Sequence, residues 1–153
     1  MAVLKVVDKS YKTKEAFYNL LIYIARKSVH CNGYGISLAS IDAVYYEFDK
    51  VKAWWGKEEE GRRQVRHFIV SFRPEELMIE EILPIAWQIA GYYGTRYQVF
   101  YGIHGDTDYP HVHFVVNTVS YVDGKMLSEG EKELYELKAM VKDITEKAKL
   151  VGY

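Results

Sequence analysis

The 153-residue sequence predicts an α+β domain, with a mostly antiparallel β-sheet covered on one face by helices. Three observations predict it. Short β-branched or alternating segments recur at 3–7, 65–72, 97–104 and 111–117. Longer segments between and after them repeat apolar residues at spacings of three and four. Two of the late connections, GDTDYP and Asp123-Gly124, carry the residues of tight turns. The element order is β-α-α-β-α-β-β-(β)-α. The length suits one domain over 1–153, whether whole or the N-terminal part of a longer protein.

Each element has its own signal. VLKVV at 3–7 is a first strand. From Lys14 to Lys27, Phe17, Leu20, Leu21 and Ile24 form an apolar stripe, with Thr13 as N-cap and Tyr23 on the flank about 100° away. His30 to Gly35 is polar and Gly-containing, and is expected to be a loop. Ile41, Val44, Tyr45, Phe48, Val51 and Trp55 mark a second helix within 38–55. KEEEGRRQ at 57–64 is a charged loop. VRHFIVSF then alternates, with His67, Ile69 and Ser71 on one face and Phe68, Val70 and Phe72 on the other. RPEE opens a helical segment reaching Tyr93, whose well-formed part is expected to begin near Pro84. A charged amphipathic helix over 128–150 closes the chain, striped by Leu134, Leu137, Met140, Val141 and Ile144.

Composition narrows the class. The chain is 49% hydrophobic and 27% charged, a globular balance. No apolar run approaches the length of a membrane span, and MAVLKVVDKS lacks a secretory signal's long apolar segment. The single cysteine, Cys31, permits no internal disulfide and fits a cytoplasmic setting. A net charge of −1 gives no global sign of a polyanionic partner. Local clusters do, since Arg26 and Lys27 and the run Arg62, Arg63 and Arg66 could track phosphates.

The stretch richest in chemistry is HGDTDYPHVHFVVN at 104–117, which holds three of the five histidines. On a strand, His111, His113, Val115 and Asn117 share one face, and Val112, Phe114 and Val116 share the other. A hairpin at GDTDYP brings His104 beside the pair. Three neutral imidazoles with open positions suit a divalent cation that polarises a substrate oxygen. Two chemistries then stand open. One is hydrolysis by metal-bound water, with Asp106 or Asp108 as base. The other is covalent attack on phosphorus by a tyrosine.

These residues also carry a resemblance. HGDTDYPHVHFVVN resembles the third motif of plasmid mobilisation and conjugative relaxases, His-x-Asp-x-x-x-Pro-His-x-His-hydrophobic-x-x-Asn, within the HUH endonuclease class. NLLIYIARKSVH at 19–30 resembles the family's nucleophile motif, and RHFIVSFRPEE its His-Φ-Φ-Φ-Ser-Phe strand with an acidic helix start. The three fall in the family's order and span residues 1 to about 127. Tyr109 stands where the family often has histidine.

The resemblance implies a relaxase-like fold and a metal-dependent nickase acting on single-stranded DNA at an origin of transfer. His104, His111 and His113 would hold the cation: Mg²⁺ or Mn²⁺ in catalysis, with Zn²⁺, Ni²⁺ or Co²⁺ also accepted. Asp106 would orient or activate a histidine. Tyr23 would attack, keep the 5′ phosphate and release a 3′ hydroxyl that can be rejoined. Asn117 would be a structural or supporting residue, and accessory relaxosome proteins are implied partners. Two alternatives remain. One is a replication initiator or transposase of the same class attacking through Tyr135, which begins the spacing YELK. The other is a non-catalytic DNA-binding or metal-storing module.

Overall fold

The computed structural model describes residues 2–7, 9–74, 76–105 and 108–150, with side chains through residue 148. Five strands form one sheet: β1 (Val3–Val6), β2 (His30–Tyr34), β3 (Val65–Ser71), β4 (Val99–His104) and β5 (His111–Asn117). Their order is β1-β3-β5-β4-β2, and every pairing is antiparallel. Four helices accompany them: α1 (Lys14–Lys27), α2 (Ile41–Trp54), α3 (Ile79–Gly94) and α4 (Glu131–Leu150). The α+β class and the antiparallel sheet are as the sequence indicates.

The helices are distributed differently from the expectation of a single covered face. On one face, Val112, Phe114 and Val116 of β5 pack with Phe68 and Val70 against Ile85 and Ile89 of α3 and Leu137 and Val141 of α4. On the other, Val115, Val65 and Phe100 pack against Leu20, Leu21 and Ile24 of α1 and Val44 and Phe48 of α2. The alternation of β5 explains both layers. Its even-numbered residues are all apolar, while the opposite face shifts from imidazole at His111 and His113 to apolar at Val115. Helices α1 and α2 cover the apolar part; of the histidines, His104 and His113 are buried and His111 is half-buried.

Two local expectations are corrected. The segment 30–35 contains a strand rather than only loop, because β2 pairs along the whole outer edge of β4, from His30 opposite Ile103 to Tyr34 opposite Val99. Gly33 permits this close approach, since a Cβ there would collide with the Val99 carbonyl group. Its polar residues concealed a strand that a neighbour's ladder specifies. Helix α3 begins at Ile79, five residues before Pro84. Proline in the second turn removes one backbone bond without ending the helix, and Met78 N–H donates to Glu81 Oε1 at 2.9 Å to close its start. Elsewhere the match is close. Helix α1 has the expected bounds, and Thr13 Oγ1 accepts from Ala16 N at 3.1 Å. The Asp123-Gly124 turn supports only an isolated Val119–Met126 bridge.

One buried cation sits in the α1–α2 layer. Lys52 is 1% exposed, and its Nζ has no hydrogen-bond partner among the described residues. It lies 5.2 Å from the Phe17 ring centre and 5.6 Å from that of Phe48. Burial pushes its pKa down from 10.5 to about 7, although nearby Asp49 favours the charged form. Between those values the unfolded chain binds the extra proton, so this group's contribution makes stability rise with pH from about 7 to 10.5. Below that window its full cost is present. Lys52→Met is therefore expected to raise Tm at pH 7 by several degrees, at about 2–4 °C per kcal/mol for a chain of this size. It should also flatten the pH dependence of thermal melts over that window, whereas an unchanged slope would contradict the assignment.

Candidate active site

The centre of the site is set by register. β4 and β5 place His104 directly opposite His111, and Gly102 opposite His113. The three imidazole rings gather with centres 4.4 Å (His104–His113), 5.0 Å (His104–His111) and 5.1 Å (His111–His113) apart. Each can offer one nitrogen such that all three lie within 4.8 Å of one another. The hairpin expectation is met at these three positions. Asp106, read as the residue that orients a histidine, lies outside the described residues.

Hydrogen bonds fix which nitrogens carry lone pairs. A carbonyl oxygen can only accept. His104 Nε2 donates to Ile24 O at 3.0 Å, leaving its lone pair on Nδ1. His111 Nδ1 donates to Tyr109 O at 2.9 Å, leaving its lone pair on Nε2. His113 Nδ1 is joined to His67 Nε2 at 2.8 Å, while its own Nε2 is buried with no hydrogen-bond partner among the described residues. An unmet buried polar atom costs about 1–3 kcal/mol. A divalent cation would satisfy it, and three imidazole nitrogens are a suitable donor set for one. Burial first, then neighbouring histidines, pushes the His113 pKa down to about 3. Burial, followed by Lys9 and His104, pushes that of His67 down to about 4. Both rings are therefore neutral at neutral pH, as metal ligation requires. The cluster could hold a metal ion.

Helix α1 forms the wall beside the trio. Tyr23 is half exposed, with its ring centre 6.1 Å from that of His104 and 5.9 Å from that of His113. Lys27 Nζ stands 5.3 Å from the same ring centre. The flank position inferred from helical periodicity thus faces the histidines. Ile24 O, one of the carbonyls near the helix end, accepts from both His104 and Ser28 Oγ. The negative end of α1 therefore lies against the site and favours positive charge there. Tyr135 is placed otherwise. It is 74% exposed on α4, the helix packed against the opposite sheet face.

Other singled-out residues separate. Arg66 is buried on the α4 face, where its guanidinium donates to Glu133 and lies 3.9 Å from Glu129. This corrects its reading as a DNA-tracking cation, because strand alternation points it away from the histidines. Arg63 pairs with Glu129 at 3.4 Å and donates to Lys9 O. Arg26 closes the last turn of α1 with Lys27, and Arg62 is exposed in the loop before β3. Asn117 sits at the far end of β5, donating to Phe48 O at 3.1 Å and Gln98 Oε1 at 2.9 Å, and accepting from Val119 N. It locks the sheet to α2 and has no bond to the trio among these contacts.

Sequence reasoning missed three neighbours. Alternation shows His67 only as one residue of a strand face, yet that face of β3 aligns with that of His113 once those strands pair. Lys9 and Lys12 lie in no motif, yet with Asn19, Tyr23, Ile69 and His113 they help line a cleft of about 720 Å³.

Contact between α1 and the sheet depends on Gly102. A Cβ there would collide with Ser28 Oγ and approach Ile24 Cγ2 to 2.8 Å. Gly102→Ala is expected to lift the end of α1 and cost about 1–3 kcal/mol in urea unfolding, the usual range for overpacking. It should also loosen the Ile24–His104 hydrogen bond. A variant as stable as its parent would contradict the close-approach argument.

Comparison with known proteins agrees with the motif resemblance. The sequence profile described as "Relaxase: MobA/VirD2-like, nuclease domain" matches residues 23–150. Two Staphylococcus aureus proteins, both named "Protein rlx", are similar to this chain. One is 28% identical over 98 residues, covering 64% of this chain and 29% of the relative. The other is 29% identical over 93 residues, covering 61% and 29%. The matched stretch is under a third of either relative's length. No described helix is long and apolar enough to cross a membrane. With its histidine motif folded into one cluster and most of its length matched by the profile, the chain belongs to the MobA/VirD2-like relaxase nuclease domain family.

Proposed function

We propose that this domain is an HUH-type nickase that cuts single-stranded DNA at an origin of transfer and can rejoin it, using Tyr23 as nucleophile. The observation that carries the reading is the contact of the half-exposed Tyr23 ring with the rings of His104 and His113. Tyr23 and His113 both line the cleft of about 720 Å³, and His113 belongs to the three-imidazole cluster with His104 and His111.

His104, His111 and His113 would hold the cation, with Mg²⁺ or Mn²⁺ proposed for catalysis and Zn²⁺, Ni²⁺ or Co²⁺ as possible occupants of the same imidazoles. A divalent cation, when bound, neutralises phosphate charge and helps align attacking and leaving oxygens. The chain's own residues do the rest. Tyr23 Oη attacks phosphorus, the Oη–P bond forms as the P–O3′ bond breaks, and the phenolic proton is balanced by the one gained by the released 3′ hydroxyl. The 5′-phosphotyrosine ester keeps the broken bond's energy, so the reverse attack reseals the strand. Lys27, beside the Tyr23 ring, and Lys9 and Lys12 along the cleft supply positive charge for the flanking backbone. Arg26 and Arg62 extend that role. Asp106 is proposed to orient a ligand histidine. Accessory relaxosome proteins that open the origin duplex, and a cytoplasmic setting, belong to the same proposal.

Placement of Tyr135 on the opposite sheet face favours Tyr23 over the initiator-type alternative. The trio beside an exposed phenol favours an enzyme over a silent binding module. A random-sequence single-stranded DNA library incubated with Mn²⁺, followed by denaturing capture and peptide mapping, tests the reading. The expected adduct joins Tyr23 to a 5′ phosphate, is absent with chelator, disappears in Tyr23→Phe and persists in Tyr135→Phe. An adduct that survives Tyr23→Phe and is lost in Tyr135→Phe would overturn the assignment.

A further inference from the structure

Behind His113, on the side away from His104 and His111, two buried side chains continue its hydrogen bonding. His67 Nε2 meets His113 Nδ1 at 2.8 Å, and Tyr11 Oη meets His67 Nδ1 at 2.9 Å. His67 is 4% exposed and Tyr11 8%. We infer that Tyr11 and His67 are positioning residues: linked in series, they hold His113 in the tautomer that turns its Nε2 lone pair toward the other two imidazoles. Its purpose rests on the cation-dependent reading above, although the tautomer can be measured without any cation.

Two proton arrangements fit the series. In the first, His113 Nδ1–H donates to His67 Nε2, and His67 Nδ1–H donates to Tyr11 Oη, leaving the phenol's own O–H for the cleft that Tyr11 lines. In the second every proton shifts along. Tyr11 O–H donates to His67 Nδ1, His67 Nε2–H donates to His113 Nδ1, and His113 carries its N–H on Nε2. The second leaves a buried N–H without an acceptor, because His113 Nε2 has no hydrogen-bond partner among the described residues. Orphaned buried N–H groups are rarer than under-satisfied acceptors. The first arrangement leaves a lone pair there instead, alongside those of His104 Nδ1 and His111 Nε2.

The backbone at Tyr11 is a second, independent sign. Its φ is 44°, in the left-handed region that a tyrosine enters at a cost of about 1–2 kcal/mol. Strain of this kind persists only where the surroundings enforce it. Here Gln64 N donates to Tyr11 O at 2.9 Å and Gly61 N donates to Lys12 O at 3.0 Å, tying the turn to the segment before β3. That clamp delivers the phenol to His67 of the adjoining strand. Ligand histidines generally donate their second N–H to an oxygen acceptor, and loss of such a partner costs about 10–100-fold in metal affinity. In this chain a histidine backed by a tyrosine takes that place for His113.

Long-range ¹H–¹⁵N NMR of the metal-free full chain reads the tautomer directly. The wild type is expected to carry the His113 proton on Nδ1. Tyr11→Phe should shift it toward a mixture, whereas His67→Gln should keep it, because the amide Oε1 accepts from Nδ1–H. Calorimetric titration with Mn²⁺ gives a second readout: a loss of about 10–100-fold for His67→Leu, with His67→Gln staying within about threefold of wild type. A wild-type His113 protonated on Nε2, or equal losses in the Leu and Gln variants, would overturn the inference. Should His67→Leu not fold by circular dichroism, the Gln and Tyr11→Phe variants carry the test. Failure of the wild type to bind Mn²⁺ would instead count against the proposed cation site, leaving the tautomer result to decide the relay.

Discussion

The antiparallel register of β5 between β3 and β4 is the constraint on which everything else depends. It sets His104 opposite His111 and Ile69 opposite His113. A slip of one residue would turn the imidazoles into the α3–α4 core and Val112, Phe114 and Val116 toward α1. The aromatic packing opposes that slip. Phe114 is fully buried and stacks on Phe68 with ring centres 4.8 Å apart. Burying a side chain of that size contributes about 1.5–3 kcal/mol, so the greasy side of the strand secures the polar side. The site is thus a by-product of core packing, and a rigid one, because β5 is the central strand of the sheet.

Helix α1 turns that rigid imidazole face into a two-walled site. Its apolar stripe anchors it on Phe100 and Val115, while Tyr23 on its flank reaches past the edge of the packed layer. The bond from His104 to Ile24 O couples helix and sheet at the point where chemistry is proposed. The same bond fixes a tautomer, so packing and electronics at His104 share one cause. On the other side, the Tyr11–His67 pair ties the turn before α1 to His113. Both ends of the β1–α1 region therefore bear on the trio, one through a carbonyl and one through a phenol.

Much of this was legible in the sequence because it depends on local periodicity. The period-2 alternation of HVHFVVN fixed which residues share a face, and the stripe of Phe17, Leu20, Leu21 and Ile24 fixed where Tyr23 would point. What escaped depends on partners distant in the chain. His67 lies 46 residues from His113 and acquires its role only when β3 pairs with β5. The strand at 30–34 has a loop's composition and takes its structure from β4. Arg66 looked like one of a basic run, yet alternation placed it against Glu133 on the opposite face from His67. The division of helices between two faces was hidden for the same reason, since an amphipathic stripe reveals that a helix packs but not on which side.

The most direct test of the central claim is an anomalous-diffraction map of a crystal soaked in Zn²⁺ as a probe cation. One strong peak is expected about 2.0–2.1 Å from His104 Nδ1, His111 Nε2 and His113 Nε2, the usual zinc–imidazole distance. No peak among the three rings, or one bound through the opposite nitrogens, would contradict the shared site and the tautomers on which it depends.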